Sequence, residues 1–337
     1  MKIIDINRAL TIIDNFSNTS ILVVGDLMVD HYIYGVTSRI SPEAPVPIVD
    51  VQNSKIFLGG SGNVINNIFE LGGKVYATGL VGKDDISKVI FQEFERRKIN
   101  TDGIIVDDTR QTTLKTRIIS HNQQVARFDQ ETKKNVIPKI TKKILQYIQS
   151  KKEEIDVIII SDYGKGTITK SLIEGIIKIT LKTNIIVCAD PKRIDLSFYN
   201  GVDVITPNHY EAEKCGLNFG EKTDIVKIGK ILLSRMNFRS ILITRGELGM
   251  SLFERKNKEI IHTYFPARVV DVSDVSGAGD TVIATFSLCL ATDSTFLEAA
   301  EISNLAAGIV VSKLGTATVT NKELKAFLNK GDKNDII

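Results

Sequence analysis

Cysteine is scarce: three residues in a chain of 337. Cys188, Cys215 and Cys289 lie far apart and have no histidines at ligand spacing. That argues against a disulfide framework or a zinc site and for structural thiols in a reducing cytoplasm. No apolar run approaches the roughly 18 residues needed to span a bilayer. The opening MKIIDINRALTIIDNF sets Asp5, Arg8 and Asp14 among its apolar positions, unlike a signal peptide. An excess of one charge is missing too. With 43 Lys+Arg against 40 Asp+Glu the net charge is +3, so neither a nucleic-acid nor a membrane partner is expected. The lysine pairs at 133–134, 142–143 and 151–152 read as solvated helix faces.

Several motifs are also absent. GLVGKDD at 79–85 has neither the spacing of a phosphate-binding P-loop nor the hydroxyl residue after the lysine. No GxGxxG follows a strand, which lowers a nicotinamide dehydrogenase reading, and no GxSxG turn is present for a hydrolase. His31, His121, His209 and His262 form no HExxH or similar metal pattern.

What is present is a series of short β-branched runs ending in polar residues: ILVVGD at 21–26, IDVIIISDYG at 155–164, IIVCADPK at 185–192, VDVITPN at 202–208 and SILITRG at 240–246. Their spacing leaves room for helices. The pattern predicts a mostly parallel α/β sheet with its site at the strand ends. Two segments do not fit that sheet. Prolines 42, 45 and 47 discourage a helix between the first strand and residue 59, and 112–131 alternates around a turn at Asn122-Gln123. Segments 33–58 and 112–130 are therefore expected to form a β lid on one main domain, 1–328, with a frayed tail at 329–337. Helices are expected after Asp280 and over 301–315, preceded by a strand-like 269–273.

The sharpest local signal is DVSGAGDT at 274–281. Small residues let backbone amides at a helix start converge on an anion, with Gly277, Ala278 and Gly279 as the anion hole. A carboxylate there is useful if it has a proton to remove, so Asp280 is the candidate base; a loop-and-cap role stays open on these residues alone. Asp26 and Asp30 frame GDLMVD at a strand end, and Gly59, Gly60 and Asn63 form a glycine-rich turn, a set suited to gripping a polyol or to a structural turn. The hairpin carries Lys115, Arg117, Asn122, Gln123 and Arg127, with Arg39 a possible addition, a cationic group that matches a phosphate already on the substrate. Asn208 and Glu211, one helical turn apart, suit magnesium or a helix cap. Asp190, Lys192, Asn208, Thr244, Gly246, Gly277, Gly279, Asn304 and Gly308 are the candidates beside a nucleotide.

Taken together, GGSGNV, NHYEAE and DVSGAGDTVIATF resemble the ribokinase-like PfkB carbohydrate kinases over almost the whole chain. The resemblance implies a three-layer α/β/α fold with a mostly parallel central sheet and a small β lid. It also implies ATP as donor, Mg2+, a monovalent cation such as K+ in some members, Asp280 as base, and a homodimer formed through the lids. Within the family, GDLMVDHYIYG, TSRISPEAPVPIV, KTRIISHNQQVARFDQE and ADPK look like kinases acting on D-glycero-D-manno-heptose 7-phosphate at O1, in ADP-heptose and lipopolysaccharide synthesis. Many such relatives are fused to a nucleotidyltransferase with an HxGH motif. This chain stops short of one, so a separate nucleotidyltransferase is expected. GGSGNVI in place of the frequent GGAANVA, together with Val275 and Ser276, departs from the pattern and bears on the substrate more than on the chemistry. Kinases for another sugar phosphate or a nucleoside, and a non-catalytic sensing module, are the competing readings.

Overall fold

Successive residues on the central strands point into two different cores. In the computed structural model, Ile21 and Val23 belong to one apolar cluster and Leu22 and Val24 to the other; Val157 and Ile159 alternate with Ile158 and Ile160 in the same way. Two buried faces are why these strands read as unbroken apolar runs. Each fully buried Ile or Val removes apolar surface worth about 1.5–3 kcal/mol. The structure describes residues 4–334 except 122, 222–223, 258, 269–271 and 314, and leaves the side chains of 330–334 aside.

In chain order the elements are α1 (Ile6–Asp14), β1 (Ser20–Ile40), β2 (Pro47–Gly60), α2 (Ser61–Glu70), β3 (Lys74–Val81), α3 (Asp85–Arg96), β4 (Asn100–Val106), β5 (Thr113–Ser120), β6 (Gln123–Gln130), α4 (Pro138–Lys151), β7 (Val157–Ser161), α5 (Lys170–Thr180), β8 (Ile186–Asp190), β9 (Val204–Ile205), α6 (His209–Leu217), α7 (Ile225–Arg235), β10 (Ser240–Thr244), β11 (Met250–Lys256), β12 (Glu259–Phe265), α8 (Ala278–Ala291), α9 (Phe296–Val311) and α10 (Asn321–Asn334). The body sheet runs β12-β11-β10-β9-β8-β7-β1-β3-β4. It is parallel from β10 to β4, with an antiparallel edge at β11 and β12. Helices α2, α8, α9 and α10 pack on one core, and α4, α5, α6 and α7 on the other, giving the expected three layers.

Strand β1 leaves the body to build the lid. Residues 20–26 pair in parallel with β3 and β7; from Leu27 onward the strand pairs antiparallel with β2 and parallel with β5, which pairs with β6. The lid is thus a four-stranded sheet in the order β2-β1-β5-β6, beginning at residue 27 rather than 33. The hairpin over 112–131 forms as expected, although Asn122 lies outside the described residues. Residues 269–271 of the expected 269–273 strand also lie outside them, while 272 and 273 are not strand. Helix α10 carries the chain through most of the segment expected to fray. The three cysteines are free and buried.

Candidate active site

Helix α8 begins where its sequence can tolerate an abrupt start. Gly277 caps it at φ 81°, a left-handed conformation that glycine adopts without strain. A Cβ there would stand 2.6 Å from the amide nitrogen of Asn63. A helix start leaves its first amides without intrahelical acceptors. The Ala278 amide bonds the Val275 carbonyl at 3.3 Å, and a Cβ built on Gly279 would meet nothing within 4 Å. Gly277 and Gly279, with Asp280, line a cavity of about 180 Å³ at the strand ends, together with Tyr163, Asp190, Lys192, Asn208, Glu211 and Thr244. A larger groove of about 600 Å³ between α4 and α5 has no carboxylate in its lining. The acid–base groups converge in the smaller cleft.

Asp280 is 5% exposed. The Asn63 side-chain amide donates to its Oδ2 at 2.7 Å, and the Tyr163 hydroxyl donates to Oδ1. Asn63 is itself held, because the Asn67 amide donates to the Asn63 carbonyl at 2.9 Å while the Thr281 hydroxyl donates to Asn67 Oδ1 at 2.9 Å. Burial pushes the Asp280 carboxyl up to about 6; the Tyr163 and Asn63 donors and the Lys115 charge oppose this, and Asp30 adds to it. The helix dipole favours the charged form at this position. The result is a carboxylate poised near neutrality that can accept a proton.

The two aspartates of GDLMVD have different surroundings. Asp26 accepts from the amides of Tyr163 at 2.9 Å, Lys165 at 3.0 Å and Thr167 at 3.1 Å. Expected to grip a sugar, it instead pins the 163–167 loop to the end of β1. Asp30 is paired with Arg117 across the lid, and Gly59 lacks a side chain where a Cβ would collide with the Asp30 carboxylate. Gly60, at φ 55°, turns β2 into α2 and so delivers Asn63.

The lid's inner face carries Asp30, Lys115, Arg117 and Arg127 in register. Arg127 forms two bonds to Asp129, at 2.8 and 2.6 Å. Lys115 has no ion pair or hydrogen bond among the described residues; its ammonium lies 5.5 Å from the centre of the Tyr163 ring. Burial, and then the neighbouring Lys165, Arg127 and Arg117, push its pKa down against the pull of Asp30. Two expected members are elsewhere. Gln123 is exposed at the hairpin tip, beside the Ser120 end of β5, and Arg39 is exposed at the far end of β1, roughly 30 Å along the strand from Asp30 at about 3.3 Å per residue.

Asn208 and Glu211 form a capping box on α6: Asn208 Oδ1 accepts from the Glu211 amide at 3.0 Å, and Glu211 Oε2 from the Asn208 amide at 3.0 Å. Lys192 donates to the other carboxylate oxygen at 3.3 Å. No group of three or more His, Cys, Asp or Glu able to hold a metal occurs among the described residues. Of the expected magnesium pair, Glu211 is the one on the cleft lining with a carboxylate, and both its oxygens are engaged, one by the Asn208 amide and one by Lys192. Asp190 is half-buried at the cleft end of β8, and desolvation there is the chief reason its carboxyl is raised well above the usual range; Thr206 donates to it at 3.1 Å. Gly246, at φ 57°, opens the turn after β10. Asn304 and Gly308 are not in the cleft lining. The Asn304 amide donates to the Pro266 carbonyl at 2.7 Å, and Gly308 lets α9 approach the Arg268 backbone. Tyr163 and Asn67 were missed: SDYG reads as a strand end, and nothing in its spacing to Asp280, more than a hundred residues on, announces contact.

The model of the pfkB family carbohydrate kinases matches residues 18–323. The chain belongs to that family. This pfkB-family sugar kinase is 42% identical over 314 residues to the bifunctional protein HldE of Desulfatibacillum aliphaticivorans, a match covering 93% of this chain and 64% of the relative. It is 40% identical to HldE of Geobacter sulfurreducens, covering 91% and 62%. The chain thus spans less than two thirds of the length of these curated relatives. Ribokinase from Thermotoga maritima superposes with a TM-score of 0.72 at 22% identity, covering 92% of this chain and 99% of that one. Phosphofructokinase-2 from Escherichia coli in complex with substrates and products gives 0.72 at 16%, covering 92% and 98%. These two place the fold as ribokinase-like. No helix among the described residues is long and apolar enough to cross a membrane.

Proposed function

We propose that this carbohydrate kinase transfers a phosphoryl group from ATP to O1 of D-glycero-D-manno-heptose 7-phosphate, in the cytoplasm, as a step toward ADP-heptose. The observation that carries the reading is Lys115: a half-buried cation on the lid that makes no ion pair or hydrogen bond among the described residues, beside the Tyr163 ring and near enough to the base for its charge to act on it. A partly desolvated charge held in no direct ion pair is costly, and a substrate that arrives with its own distal phosphate supplies the partner. The likeness of the lid segments to heptose 7-phosphate kinases and the match to HldE proteins support the same substrate. Asp30 and the Gly59-Gly60 turn hold sugar hydroxyls. Asp280 takes the O1 proton as the new O–P bond forms and the bond to the donor's bridging oxygen breaks. At the start of α8 the amides of Gly277 and Gly279 would receive the transferred group, while that of Ala278 is taken by the Val275 carbonyl. Magnesium, when bound, neutralises phosphate charge, with Glu211 and Lys192 at its margin.

A homodimer through the lids is part of the proposal. The lid's outer surface exposes Ile56 at 49% and Phe128 at 57%, side chains that a second lid would cover. The test is formation of ADP and sugar bisphosphate from the heptose 7-phosphate, beside unphosphorylated heptose, fructose 6-phosphate and a no-sugar control. Turnover confined to the heptose 7-phosphate is expected. Turnover of fructose 6-phosphate alone would retain the kinase and reject the heptose.

A further inference from the structure

The loop after β7 threads between the base and the lid, and its anchoring is unusually complete. Asp26 holds the amides of Tyr163, Lys165 and Thr167. Asp162 accepts from the Gly164 amide and from the Tyr199 hydroxyl, each at 2.7 Å. That framework fixes the Tyr163 backbone and aims its half-buried ring so that the hydroxyl reaches Asp280 Oδ1 while one ring face lies toward the Lys115 ammonium. We propose that Tyr163 is a positioning residue for the phosphoryl transfer: it fixes the Asp280 carboxylate from the side opposite Asn63 and joins the base to the cation that meets the substrate's phosphate.

The chemistry follows from the donor inventory. A phenol hydroxyl gives one proton to a hydrogen bond, and the Tyr163 phenol is raised well above its usual range, first by burial and then by Asp280, Asp190 and Asp30. It keeps its proton throughout and does not compete as a base. With Asn63 on Oδ2 and Tyr163 on Oδ1, the carboxylate cannot rotate freely, and each oxygen retains a lone pair for an incoming hydroxyl. Both donors favour the charged form of Asp280, which is the form that accepts the sugar proton. The charged groups facing this carboxylate are Asp30 from β1, Lys115 from β5 and Asp190 from β8.

This inference rests on Asp280 being the base, and the experiment separates the two claims. Steady-state kinetics and pH profiles are measured with the heptose 7-phosphate and ATP on wild type, Tyr163→Phe, Asp280→Asn, and protein carrying 3-fluorotyrosine at position 163. Tyr163→Phe keeps the ring and loses only the donor. Its kcat is expected to fall roughly tenfold with little change in KM. The acidic limb of its kcat/KM profile is expected to rise by about one pH unit, because the lost bond had favoured the carboxylate. The fluorinated phenol, a stronger donor, is expected to move the limb the other way. An unmoved limb in both, with Asp280→Asn inactive, overturns the role of Tyr163 and leaves the base standing. An active Asp280→Asn overturns both. Loss of activity in Tyr163→Phe through misfolding leaves the fluorotyrosine protein to decide: a limb shifted to lower pH supports the role and an unshifted one rejects it.

Discussion

One strand, β1, makes both halves of this enzyme, and its two parts differ in almost every respect. Residues 20–26 are buried on both faces and paired on both edges by parallel strands. They end at Asp26, whose carboxylate is consumed by three backbone amides. Beyond residue 27 the same strand is increasingly exposed and carries Asp30 in an ion pair rather than a backbone cap. Four residues apart, one aspartate fixes the scaffold and the other is paired with Arg117 in the lid, where it is proposed to meet a sugar. The body is built by burial and holds the reacting groups in place. The lid carries its charges where a ligand can meet them.

The strongest test of that division is the base itself. Asp280→Asn should lower kcat a hundred- to ten-thousand-fold with the melting temperature close to wild type, since the amide keeps the shape of the carboxyl group; steady-state kinetics beside a thermal melt checks it. Next, truncating a body residue and a lid residue of the same type should separate the halves. Ile159→Ala, fully buried in β7, should cost about 2–5 kcal/mol, while Ile56→Ala on the outer lid, measured at a protein concentration low enough to keep the lids apart, should stay within about 0.5 kcal/mol; denaturant unfolding of both reads the contrast, and equal losses would erase it. Lys115→Met should reduce kcat/KM for the heptose 7-phosphate about 10- to 100-fold with the KM for ATP nearly unchanged, as steady-state kinetics at varied sugar and varied ATP would show.

The smallest effect belongs to the body's helix caps. Thr295 and Glu298 form a capping box on α9, so Thr295→Ala should cost about 1 kcal/mol. The Arg8 hydrogen bond, with further donors from Thr295, holds the Glu298 carboxyl down to about 2 against the penalty of burial. A depressed carboxyl stabilises the fold fully above its unfolded value near 4.5 and loses that contribution as pH falls toward 2. Glu298→Gln should therefore destabilise at pH 7 and have progressively less effect below pH 4, as followed by urea unfolding across pH.

How much was legible follows the same boundary. The double-sided strands were visible because two buried faces leave an uninterrupted β-branched run, and all five expected runs became parallel strands. The antiparallel pair β11 and β12 and the strands β3 and β4 were not read, because polar residues or glycine interrupt their apolar runs and they lack a distinctive end. GAGD was legible because a left-handed glycine before a helix is a local requirement. The partners of Asp280 were not, since Asn63 and Tyr163 lie 217 and 117 residues away and no local periodicity encodes a contact of that range. Gln123 and Arg39 were misplaced for a related reason: residue type suggests affinity for phosphate, but the length of a strand decides whether a side chain reaches the cleft.

By itself the sequence determined the layered α/β class, the lid segments and the helix start that bears Asp280, all of which depend on spacing within a few residues. Only the tertiary structure decided that Asp26 secures a loop, that Asn208 and Glu211 cap a helix, and that Tyr163 meets the base. A hydrogen-bonding group takes whichever partner the packed chain brings within about 3 Å, and folding alone chooses that neighbour.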